Sequence, residues 1–145
     1  ISSAMCVRYL LSNSYVLEGD ILLHNPKIIQ KYQYQSNYCG IKVDRTDDWC
    51  LFENKGRVTG YAVGGENCHQ IMGISYWTED DGKKLGEYIK QVYEMPGGKE
   101  RYWDQVALGY YVDDFNLAIR ECSFDDFIEI DTFNELKAID KSYDV

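Results

Sequence analysis

The sequence predicts an α/β domain with a mixed, largely antiparallel sheet flanked by helices. Three observations carry this expectation. Between 37 and 77 apolar residues recur with a period of two, and Asn54-Lys55-Gly56 interrupts them as a hairpin turn. Two helical patterns bring their own start signals: Thr78 before Glu79, Asp80 and Asp81, and a T-x-x-E box from Thr132 to Glu135. The 145 residues contain no repeat, low-complexity stretch or linker, so 1–145 reads as a single domain.

In chain order, a first helix is expected over 3–11, with Ser3, Val7, Leu10 and Leu11 on one face, and it ends at Ser12-Asn13-Ser14. A strand follows, Tyr15 to Leu17 before Gly19 and Ile21 to Leu23 after it. Asp20 is the misfit there, because a carboxylate in an apolar strand is costly unless it is paired, hydrogen-bonded or bound to a cation. It is either a solvated acid beside a glycine bulge or a metal-binding acid at the lip of the sheet. Asn25-Pro26 opens a short helix through Ile28, Ile29 and Tyr32. Strands are expected over 38–43, 49–53, 57–63 and 69–77, with a break at Gly64-Gly65; the last, apolar except for Ser75, is expected to be central.

Thr78 then caps a helix with Leu85, Tyr88, Ile89 and Val92 on one face. After the Met95-Pro96-Gly97-Gly98 loop, Trp103, Val106, Ala107 and Tyr110 mark another helical face, and 115–120 returns to a strand pattern. A short strand over 127–130 closes at Asp131, before a final helix through Leu136 and Ile139.

Composition narrows the function. A net charge of −9 argues against nucleic acid or an anionic membrane as the main partner, since both call for a basic surface. No run reaches the roughly 18 apolar residues of a membrane span, and residues 1–11 lack the pattern of a signal peptide, so a soluble, cytoplasmic protein is expected. The opening at Ile1, directly into an amphipathic pattern, reads as part of something longer. The five cysteines include no C-x-x-C pair and read as reduced thiols; Cys68 and His69 are adjacent on a strand and point to opposite faces, which disfavours a nucleophile–base pair.

Two groups of residues can carry chemistry. Asp20 and Asp131 each stand where a strand ends, and two carboxylates converging at one sheet edge can hold Mg²⁺. Asp131 can equally serve only to help Thr132 cap the last helix. The second group is aromatic and acidic: Tyr102-Trp103-Asp104, Tyr76 beside Trp77, Trp49 after Asp47-Asp48, and Glu129. Ring faces and carboxylates suit a quaternary ammonium, which offers no hydrogen-bond donor; the same rings can instead be core and rim. Lys42, Arg45 and Arg57 are the few basic residues placed to meet a phosphate, and no glycine-rich phosphate loop is present.

The order of LEGDILL (17–23), Trp49 in DDWCLF, MGISYW (72–77), RYWDQV (101–106), IEIDTFNEL (128–136) and then Lys141-Ser142-Tyr143 resembles the later, C-terminal part of bacterial CTP:phosphocholine cytidylyltransferases of the sugar-phosphate nucleotidyltransferase superfamily. The resemblance covers essentially the whole chain and implies a Rossmann-like, GT-A-type nucleotidyltransferase fold. It also implies Mg²⁺-dependent transfer of CMP from CTP to phosphocholine, giving CDP-choline and pyrophosphate. By the resemblance Asp20 and Asp131 hold the metal, Trp49, Tyr102, Trp103, Asp104 and Glu129 bind the acceptor, and Lys42 contacts a phosphate; Tyr76, from the aromatic group itself, is added to the acceptor-binding residues. The family's N-terminal nucleotide-binding portion has no counterpart here, so the chain is expected to be inactive alone and to offer exposed sheet edges for a homodimer. Two alternatives stay open: the same chemistry on phosphoethanolamine, 2-aminoethylphosphonate or a sugar 1-phosphate, and a non-catalytic ligand-binding or assembly module.

Overall fold

A computed structural model describes residues 1–143. The chain runs α1 (Ser2–Val7), β1 (Ser14–Leu17), β2 (Ile21–Leu23), β3 (Asn37–Asn54), β4 (Arg57–Trp77), α2 (Glu79–Glu94), β5 (Ala118–Glu121), β6 (Phe127–Glu129) and α3 (Phe133–Ile139), with short turns of 3-10 and π helix between. The four strands expected between 38 and 77 are segments of two long ones. β3 and β4 pair antiparallel from Asn37↔Tyr76 to Asn54↔Arg57, and the register shifts between Thr46 and Trp49. Bulges bend a strand and increase its twist. Beyond this one the hairpin folds over, so that Cys50 and Leu51 meet Ala62 and Tyr61 on one side and Gln70 and His69 on the other.

The main sheet has the order β1-β4-β3-β5, with β1 antiparallel to β4 and β5 parallel to β3, which makes it mixed. β4 is central, as its sequence implied: Ile74, Ser75 and Trp77 are all at most 1% exposed. The strand expected across Asp20 is split in two. Glu18 N donates to Gly73 O (3.0 Å) just past β1, and Ile130 N donates to Asp20 O (2.9 Å) just before β2. The backbone thus leaves one sheet at Glu18 and joins another at Asp20. That second sheet is a ribbon in which β2 and β6 pair antiparallel, Ile21 opposite Glu129. Phe127, Ile21 and Leu23 pack with Ile28, Ile41, Met72 and Ile74 over one face of the main sheet.

The other face is covered by α2, whose Leu85, Ile89 and Val92 pack with Tyr38, Trp77, Phe115 and Leu117. Thr78 caps this helix by accepting from Asp81 N (3.4 Å), and the buried Ser36 hydroxyl donates to the Asp81 carboxylate (2.6 Å), which ties the helix start to the entrance of β3. Among the described residues no helix is long and apolar enough to cross a membrane.

Four local expectations need correction. In the first helix Val7 and Leu10 are exposed and Ile1, Ala4 and Met5 pack on the core; α1 gives way to a 3-10 turn over Arg8–Leu10 that delivers only Leu11 to the interior. The helix expected from Asn25-Pro26 is one 3-10 turn, Pro26–Ile28. Ile28 alone is buried in it, too little apolar anchorage to sustain a helix. Around 106 the chain forms a five-residue π turn, Val106–Tyr110, closed by Tyr111 N on Val106 O (3.0 Å), and this wider winding turns Tyr110 outward. The strand expected from 115 starts at Ala118, because the Arg57 guanidinium occupies the carbonyls of Phe115, Val112 and Asp113 (2.8–3.1 Å) and holds a turn there.

Candidate functional site

Where the two sheets meet, Glu18, Asp48, Trp49, Ile71, Gly73, Tyr102, Asp104, Glu129 and Asp131 line a cavity of about 420 Å³. Each wall has a local cause. The crossing between β1 and β2 supplies Glu18, whose side chain lies against Gly73, a residue at φ +46 where a Cβ would overlap the carboxylate. The β3 bulge supplies Asp48 and Trp49. It is pinned by hydrogen bonds from Thr46 Oγ1 to Gln70 Oε1 (2.9 Å) and from Asp48 N to Thr46 Oγ1 (3.1 Å). β6 and its exit supply Glu129 and Asp131.

Capping of α3 is carried by Thr132 and Glu135, whose Oε2 accepts from both Thr132 N (2.8 Å) and Asp131 N (2.9 Å). The backbone of Asp131 is therefore fixed by the capping box while its side chain lines the cavity. Asp20 groups with Glu18 and Glu129: the three bring carboxylate oxygens within 4.8 Å of one another. Asp131 is outside that trio. Hard divalent cations such as Mg²⁺ take carboxylate oxygens, so this donor set fits one, whereas a softer metal would call for sulfur or imidazole.

The aromatic residues separate into two sets. Trp49 and Tyr102 line the cavity, with Tyr102 edge-on to the indole at 5.4 Å and 74°. Trp103 points the other way, stacked on Tyr38 (6.3 Å, 23°) and edge-on to Trp77 (6.3 Å, 71°), where it packs against the core. Tyr76 lies elsewhere, in a second depression with Tyr15, its ring 5.1 Å from the Tyr15 ring. Lys42 is an exposed residue of β3 opposite His69 and does not line the cavity. Sequence reasoning passed over Glu18, Ile71 and Gly73. Glu18 was signalled only by its place two residues before Asp20, and Ile71 and Gly73 only by sharing one face of β4 at a spacing of two.

Among the described residues no basic side chain lines this cavity. Its electrostatics follow from that. The Glu18 carboxyl is held above its usual range, first by lost hydration and then by the charges of Asp104, Asp20, Asp48 and Asp131. Glu129 is raised in the same way, by lost hydration and then by Asp131, Glu18, Asp20 and Asp48. Asp104 is pushed up to about 6 by burial, against the opposing effect of a hydrogen bond from Tyr38 Oη (2.8 Å). Tyr38 is buried beside that carboxyl and raised well above its ordinary value, so its phenol stays neutral and donates. A cation entering the cavity would relieve repulsion at every acid. Cys68 and His69 form no such centre. The Cys68 thiol is buried beside Cys50, and His69 Nε2 faces Glu121 at 3.5 Å.

Two solved nucleotidyltransferase structures share this fold. A CTP:phosphocholine cytidylyltransferase from Streptococcus pneumoniae superimposes with a TM-score of 0.77 at 20% identity, over 97% of this chain and 62% of that one. A Bacillus anthracis structure assigned as a glucose-1-phosphate thymidylyltransferase gives 0.66 at 15% identity, over 98% and 59%. More narrowly, the curated relatives are bacterial cytidylyltransferases. A 2-aminoethylphosphonate cytidylyltransferase from Lancefieldella rimae is 26% identical over 132 residues, 90% of this chain and 53% of the relative. A choline-phosphate cytidylyltransferase from Haemophilus influenzae is 23% identical over 129 residues, 86% and 54%. The chain therefore spans about half the length of these relatives. No family model matches the sequence.

Proposed function

We propose that this chain carries the acceptor- and metal-binding side of a Mg²⁺-dependent cytidylyltransferase, and that its acceptor is phosphocholine. The observation that carries this reading is the cavity itself, where Trp49 and Tyr102 present rings at a steep angle among Glu18, Asp48, Asp104, Glu129 and Asp131. A trimethylammonium group is held by ring faces and diffuse negative charge, each ring contributing about 0.5–2 kcal/mol. Glu18, Asp20 and Glu129 would hold Mg²⁺, which when bound neutralises charge on the α-phosphate of CTP. In the transfer a phosphocholine oxygen forms a bond to the α-phosphorus as the bond to the bridging oxygen breaks, and pyrophosphate leaves with that electron pair. Here Trp49 and Tyr102 orient the acceptor, and Asp104, held by Tyr38, supplies fixed charge near its cationic head.

A second reading keeps the chemistry and gives the acceptor a primary amine. It is favoured by the carboxylates, which outnumber the rings in the lining, and by the Lancefieldella relative, described as acting on 2-aminoethylphosphonate. Calorimetric titration of the chain with phosphocholine and with 2-aminoethylphosphonate, each with and without Mg²⁺, decides between them. Tighter binding of phosphocholine supports the first reading and tighter binding of the phosphonate the second. Binding of neither removes both.

A further inference from the structure

Two residues outside the cavity connect the rings within it. Tyr61 on β4 stacks on Trp49 almost in parallel, with centroids 5.1 Å apart and planes at 5°. Its hydroxyl accepts a hydrogen bond from Gln105 Nε2 (2.8 Å), and Gln105 Oε1 accepts from the backbone N–H of Tyr102 (3.0 Å). The Tyr102 N–H can only donate, so it fixes which end of the Gln105 amide faces it and leaves the amide N–H₂ for Tyr61. One side chain thus bridges the residue behind Trp49 and the backbone of Tyr102. Tyr102 is itself 65% exposed, and the Gln105 bond anchors the backbone that carries its ring. The Cε1 edge of Tyr61 lies close to Gly109 of the π turn, where a Cβ would come within 2.9 Å of it.

We propose that Gln105 and Tyr61 are positioning residues. They hold Trp49 and Tyr102 at the steep angle on which preference for a quaternary over a primary ammonium depends. This deepens the reading of the cavity as an acceptor site and rests on it. A primary ammonium carries its own donors and can follow the carboxylates if a ring moves. A trimethylammonium group has none, and its attraction depends on ring faces staying in contact with its methyl groups. Disturbing the bridge therefore weakens quaternary binding more than primary binding.

The test compares the unaltered chain with Gln105→Leu, which removes both bonds at similar volume, and Tyr61→Phe, which keeps the stack and removes only the hydroxyl. Phosphocholine and phosphoethanolamine are titrated calorimetrically. The Trp49 indole and Tyr102 amide resonances are followed by NMR without ligand. Gln105→Leu is expected to weaken phosphocholine about tenfold and phosphoethanolamine much less, and to shift both resonances. Tyr61→Phe is expected to move the indole resonance and leave the Tyr102 amide in place. Equal loss for the two ligands, or unmoved resonances in Gln105→Leu, would overturn the proposal. If the unaltered chain binds neither ligand, the acceptor-site reading and the selectivity built on it both fail, while the ligand-free resonances still decide whether Gln105 positions the rings.

Discussion

Asp104 is the residue whose chemistry is most altered by its surroundings. Its carboxyl titrates at about 6 in place of the ordinary 3.8 because burial penalises the charged form more than Tyr38 favours it. A folded-state value above the unfolded one means that the neutral carboxyl's contribution to stability is fully present below about pH 4. It is lost as the pH rises through about 6. Ligand affinity runs the other way, since a cation needs the ionised form. Affinity for a cationic ligand should therefore fall as the pH drops below about 6, by up to about tenfold per unit, and Asp104→Asn should bind more weakly at pH ~7.5 with a flattened profile. Titration calorimetry at several pH values checks this. At this scale the sequence was legible where acidic and aromatic residues cluster: Trp49, Tyr102, Asp104, Glu129 and Asp131 all line one cavity. It was not legible for Tyr76 and Trp103. Aromatic residues look alike in sequence whether they face a ligand or a core, and the alternation that sends Trp103 inward between two cavity residues appears only once the backbone is known.

Among the elements, α2 shows how backbone proximity can outweigh intrinsic propensity. Gly82 lowers the helical tendency of its segment, and alanine would ordinarily improve it by about 1 kcal/mol. Here a Cβ at 82 would overlap the Leu11 carbonyl, and one at Gly86 would crowd the Arg8 carbonyl. The two glycines let the segment after α1 lie directly on the helix. Gly82→Ala should therefore destabilise the protein by roughly 1–3 kcal/mol, a fall in Tm of several degrees by thermal unfolding, whereas propensity alone predicts a rise. The caps of α2 and α3 were readable because each is written in three or four adjacent residues. The folding-over of β3 and β4 was not: it depends on the bulge at 46–49 and on pairings between residues distant in sequence.

For the molecule as a whole, the net charge of −9 includes six acids gathered about one opening: Glu18, Asp20, Asp48, Asp104, Glu129 and Asp131. Millimolar MgCl₂ should raise Tm more than NaCl of equal ionic strength, by about 2–4 °C for each kcal/mol of binding. Asp20→Asn or Glu129→Gln should erase the difference, and equal effects of the two salts would argue against a specific ion. The pairing of β2 with β6 has one further consequence. Glu18 and Asp20 precede Glu129 in the chain by more than a hundred peptide bonds. A nascent chain emerging from the ribosome therefore carries two of these three carboxylates long before the third exists. A cation held by all three would have to wait for closure of the ribbon.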